Sequence, residues 1–148
     1  MDKQVFYNWL EQNRERLTQL ICEQEQQTAT PDNPQALENI EARIAVFVGN
    51  LLQFLKSGDV QFMVTHLSRV IYLNVGRGQK FDFKVMEKQF QQVTKAVTQV
   101  VAEGNFDRIE RTQFLRLIER SIANLTSTAG TLYARALLEQ ADKKQVVN

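Results

Sequence analysis

The chain has 148 residues, 43% of them hydrophobic and 24% charged, which is enough apolar material to bury the core of one ordinary domain. With 18 basic against 17 acidic side chains and a pI of about 7.8, it has no global field to attract phosphate backbones or anionic membranes, so neither is an expected partner. A single cysteine, Cys22, cannot make an intramolecular disulfide; Met1-Asp2-Lys3-Gln4 is not the start of a signal peptide; and no apolar run approaches the ~20 residues that cross a bilayer, so a cytoplasmic location is expected.

Both prolines fall in Thr30-Pro31-Asp32-Asn33-Pro34, and the glycines lie mostly between periodic stretches, which predicts an all-α fold of five helices in a single domain spanning 1–148. The first helix, about 3 to 26, carries Phe6, Trp9, Leu10, Leu17, Leu20 and Ile21 on one stripe. Asn33 before Pro34 is a good start for the second, since a capping oxygen precedes a residue whose missing N–H is no loss there. That helix runs to about Lys56, with Leu37, Ile40, Ile44, Phe47, Leu51 and Leu55 in period. Val48, Leu52 and Phe54 widen its stripe to burial on two sides, as for a central helix.

Gly58 and Asp59 make the next turn, a third helix covers about 60 to 75, and Gly76-Arg77-Gly78 closes it. Asp82 caps a fourth helix, about 83 to 103, in which Phe83, Met86, Phe90, Val93, Val97, Val100 and Val101 point one way. Its valines lower the intrinsic propensity, so packing must hold it. After Gly104, Asp107 and Glu110 form a capping-box-like start for the last helix, about 108 to 142, which nothing interrupts. At roughly 1.5 Å per residue that helix is on the order of 50 Å long, against a radius of gyration of about 15 Å for a compact domain of this size. It is expected to overhang its own domain.

The chemistry is sparse. One His and one Cys in different helices, with no Glu-x-x-His pair, make no metal site, and no enzyme, cofactor or metal is expected. Cys22 stands beside Ile21 and near Glu23 and Glu25, whose charge disfavours a thiolate, so it reads as inert. Gly76-x-Gly78 follows a helix rather than a strand and lacks the Lys-Ser/Thr pair of a phosphate-binding loop. His66, with Phe62, Met63, Leu67 and Val70 at helical spacing, reads as a histidine at the edge of an apolar face, with a haem ligand as the minority reading.

The last helix holds the most specific pattern. Ile118, Ile122, Leu125, Ala129, Leu132 and Ala136 alternate steps of four and three, the period of a left-handed helix pair. Thr126-Ser127-Thr128-Ala129-Gly130-Thr131 is rich in small residues, and mid-helix Gly130, at a cost of about 1 kcal/mol, suits two backbones in close approach. The first half of this seam packs either within the domain or on a second copy. Beyond about Leu132 the domain is expected no longer to reach it, which makes Tyr133, Leu137 and Leu138 the candidates for a subunit contact.

From Val5 to Tyr133 the chain resembles the N-terminal domain of RsbR-type stressosome proteins, haemless globin-like sensor modules that precede a STAS domain. The matching pieces are Val5-Phe6-Tyr7-Asn8-Trp9-Leu10-Glu11-Gln12-Asn13-Arg14-Glu15-Arg16-Leu17, then Val75-Gly76 with Lys80-Phe81, then the stretch from Ile118 through Asn124 to Tyr133. The resemblance implies a globin-like fold, a homodimer, and a last helix leading into a STAS domain that contacts an RsbS-like scaffold and an RsbT-like kinase. Globin-coupled gas sensors resemble the same middle segment and carry their haem-binding histidine four residues before the glycine. Tyr72 holds that position here, and His66 lies nearly two turns earlier. The chain stops at Asn148, before any STAS domain, as expected of a fragment or a stand-alone sensor. A relay domain acting through its last helix is the expected function, with a haem-binding gas sensor liganded by Tyr72 or His66, or a ligand-free helical adaptor, as alternatives.

Overall fold

The computed structural model describes residues 3–28, 39–76 and 83–147, and among these the protein is six helices and no strand. They are α1 (Lys3–Gln12), α2 (Arg14–Thr28), α3 (Ile40–Ser57), α4 (Gln61–Gly76), α5 (Phe83–Glu103) and α6 (Arg108–Val147). The all-α class stands, with one helix more than the five expected. The extra one comes from a break at Asn13. Its side-chain amide donates to the Trp9 carbonyl at 2.9 Å, and its own N–H is shared between Trp9 O at 3.2 Å and Leu10 O at 3.1 Å. An asparagine that competes for the helical acceptor in this way loosens the ladder locally. Helical bonding resumes at once, as Leu17 N–H donates to Asn13 O at 3.0 Å.

The start of α3 at Asn33-Pro34, its Leu37, and the Asp82 cap lie outside the described residues. Within them α3 opens after Asn39, which is left-handed at φ 56°, and closes at Gly58, left-handed at φ 71° with its N–H on Phe54 O at 2.8 Å. Glycine adopts that conformation without Cβ strain, which makes it the natural helix stop. Asp59 then caps α4 through Oδ1 to Gln61 N–H at 3.0 Å.

Five of the helices close a ring: α2 packs on α3, α3 on α4, α4 on α6, α6 on α5, and α5 back on α2. The core fills its middle. Leu17, Val48, Leu51, Leu52, Met63, Ile71, Val97 and Ile118 are almost wholly buried, and among the described residues no polar or charged side chain is buried with them. Burying this surface is the dominant favourable term in folding. Helix α1 lies on α2 and α3, and its aromatic residues close one end of the ring. Phe6 stacks on Phe114 of α6 at 3.9 Å, while Phe106 meets Trp9 at 4.7 Å and Phe114 at 4.9 Å edge-on. Ion pairs Lys56–Glu11 and Arg16–Glu103 (2.9 Å) tie α3 to α1 and α2 to the end of α5 at the surface. No helix among the described residues is long and apolar enough to cross a membrane.

Candidate functional site

Helix α6 is 40 residues, about 60 Å, and starts from a reciprocal capping box. Asp107 Oδ1 accepts from Glu110 N–H at 2.8 Å, and Glu110 Oε1 accepts from Asp107 N–H at 3.2 Å. Its inner face is Phe114, Ile118, Ile122, Leu125, Ala129, Leu132 and Ala136, every one buried. The alternating seam is therefore occupied by the chain's own helices, since α6 packs on α4 and α5 along this face.

The domain also reaches past Leu132, contrary to expectation. Tyr133 stacks on Phe83 of α5 at 6.0 Å with the rings within 6° of parallel, Ala136 is 2% exposed, and the Tyr72 hydroxyl of α4 donates to Glu139 at 3.5 Å. Tyr133 thus packs inside the protomer, and of the residues assigned to a subunit contact only Leu137 (47%) and Leu138 (66%) stand exposed. From 137 through 142 no residue is buried, so α6 leaves the core one full turn later than the seam alone indicated. Gly130 does not serve a close backbone approach within the protomer: a Cβ there would meet only the Phe83 ring, at 3.6 Å.

His66 and Tyr72 belong to different sides of α4. His66 is half-buried with its ring 5.8 Å from Phe47 of α3, whereas Tyr72 reaches α6. The two do not converge on one pocket, and each has its own neighbour in the fold. Burial and, secondarily, the nearby Arg69 guanidinium hold the His66 imidazole below its ordinary pKa of 6.5, favouring the neutral ring. Cys22 is buried, and burial followed by the charges of Glu41, Glu25 and Glu23 raises its thiol pKa, which disfavours the nucleophilic thiolate. Tyr7 is buried on α1; burial raises its phenol, and a hydrogen bond with Ser121 of α6 offsets part of that.

No group of three or more His, Cys, Asp or Glu capable of holding a metal occurs among the described residues. A surface groove of about 1080 Å³ runs between α2 and α3, with Arg14 and Gly49 toward one end, Val46 in the middle, and Cys22 and Glu41 toward the other. No family model, curated protein or solved structure matches this chain. The globin-like arrangement implied by the resemblance to RsbR-type proteins therefore rests on that resemblance alone. The candidate functional element is α6 itself, with its contacts to Tyr72 and Phe83. Neither contact is visible in the sequence, because Glu139 and Phe83 carry no motif and meet their partners only through the ring of helices.

Proposed function

We propose that this chain is a non-enzymatic regulatory domain of sensor type, dimeric and cytoplasmic, that relays a change in its helical core through α6. One observation carries the reading: the helix that builds the core from Phe114 to Ala136 continues unbroken beyond it, exposing Leu137 and Leu138. A helix transmits displacement as a rigid element, so a change in packing at its buried part moves its far end. The stimulus is any ligand or partner that binds one packing of the core better than another. The resemblance to RsbR-type modules extends this proposal to a STAS-type output beyond α6, an RsbS-like scaffold and an RsbT-like kinase.

The test has two parts. Light scattering should give twice the 17.1 kDa chain mass. Tyr72→Ala, which removes the hydroxyl that meets Glu139 of α6, should speed amide exchange severalfold at 137–142 while leaving 118–129 protected. A monomer, or an α6 end indifferent to Tyr72, would overturn the proposal.

A further inference from the structure

The outer face of α6 has a composition its solvent exposure does not explain. Directly opposite the buried seam run Arg120, Asn124, Ser127, Thr131, Ala134 and Leu138, all exposed. No charged residue occurs anywhere between Arg120 and Arg135, although charged residues are frequent on both sides of this interval. A solvent-facing helix ordinarily carries charges on its outer face. This face carries none for about four turns, and it ends on Leu138, 66% exposed.

We infer that this face is a docking surface for the same face of a second copy, with the two α6 helices antiparallel about a two-fold axis level with Ala129. The inference rests on the dimeric reading above and specifies its geometry. Charge selects the direction. Antiparallel pairing about that level sets Ser127 opposite Thr131, Asn124 opposite Ala134, and Arg120 opposite Leu138, whose exposed side chain the aliphatic stem of Arg120 then covers. Arg116 falls opposite Asp142, both exposed and on the same face of the helix. Parallel pairing would instead set Arg116 on Arg116, Arg120 on Arg120 and Asp142 on Asp142, three like-charge juxtapositions. Glu119 and Glu139 point to the flanks, where Glu139 already meets Tyr72. The face is isologous, as a two-fold dimer requires, and its short side chains at 124, 127, 131 and 134 allow the helix axes to approach to about 8 Å.

The experiment is pulsed electron–electron distance measurement on the whole chain in a Cys22→Ala background, with nitroxides at exposed Glu119 or Thr112, alongside sedimentation of Ser127→Glu. Antiparallel pairing offsets the two Glu119 labels by about 30 Å along the axis and the two Thr112 labels by about 51 Å. Ser127→Glu, at an exposed position, should keep full helicity while weakening the dimer at least tenfold. Equal, short distances at both positions would mean a parallel pair, and a dimer unmoved by Ser127→Glu would mean another face. Either result overturns this inference and leaves the dimeric proposal standing. A monomeric wild-type chain overturns both.

Discussion

Replacing Gly130 by alanine should stabilise this protein, and the structure supplies the magnitude. Gly130 sits inside α6 without positive φ, so alanine meets no backbone strain. Its Cβ would have one neighbour within 4 Å, Phe83 Cζ at 3.6 Å, an ordinary van der Waals contact. The gain is then the helix-interior preference of alanine over glycine, about 1 kcal/mol, with a few tenths more from the methyl resting on the Phe83 ring. For a chain of this length that corresponds to a rise in Tm of about 3–5 °C. Gly104 is the contrasting control. A Cβ there would lie 2.7 Å from Trp9 Cζ2 and 2.9 Å from Phe106 Cε2, and both rings are held in the aromatic cluster that closes the ring of helices. Gly104→Ala should therefore cost about 1–3 kcal/mol. Urea unfolding followed by far-UV circular dichroism and by the single tryptophan, Trp9, measures both. Gly130→Ala lowering the midpoint, or the two variants shifting it in the same direction, would refute the packing argument.

Asp107→Ala removes one half of the capping box and should destabilise the chain by about 1 kcal/mol, read as a lower urea midpoint; an unchanged midpoint would mean that α6 does not depend on its cap. His66, whose folded pKa is depressed by burial and by Arg69, contributes stability that is full above the ordinary value of 6.5 and is lost as pH falls toward the folded value, because the unfolded chain takes up the proton first. Between about pH 7.5 and about pH 5.5 the wild-type midpoint should thus fall further than that of His66→Gln, and parallel slopes would contradict the assignment. Because Tyr72 and His66 reach different helices, hemin titration should produce no stoichiometric Soret band; a band abolished by Tyr72→Phe or His66→Ala would revive the haem-sensor alternative.

The elements were largely legible because their signals are local. Glycine at 58 and 104, the Asp107 and Glu110 pair, and the apolar period of α5 each act within a few residues, and each appears in the structure where it was expected. The break at Asn13 escaped because nothing in residue type alone decides whether an asparagine side chain takes the Trp9 carbonyl or points to water. The seam of α6 shows a different limit. Period identifies which residues share a face, but a partner helix from another protomer and a neighbour from the same chain leave the same spacing in the sequence. The ring closure that brings α4 and α5 onto α6 decided between them, burying Ala136 and bringing Tyr72 to Glu139.

Once the inner face of α6 is committed to its own core, any contact of α6 with a second copy must use the faces left over, and the one opposite the core carries no charge from 121 through 134. If α6 relays a signal as proposed, the two faces constrain how it can do so. A helix packed on its own domain along one side and on a partner along the other cannot bend toward either without opening a seam, so it responds to a change in core packing chiefly by sliding or turning as a unit. In an antiparallel pair such a shift in one protomer displaces the partner's helix in the opposite sense. In the dimer proposed here the two protomers would be coupled through residues 120–138, and a relayed change would emerge at the turn around Leu137, which is exposed in the protomer.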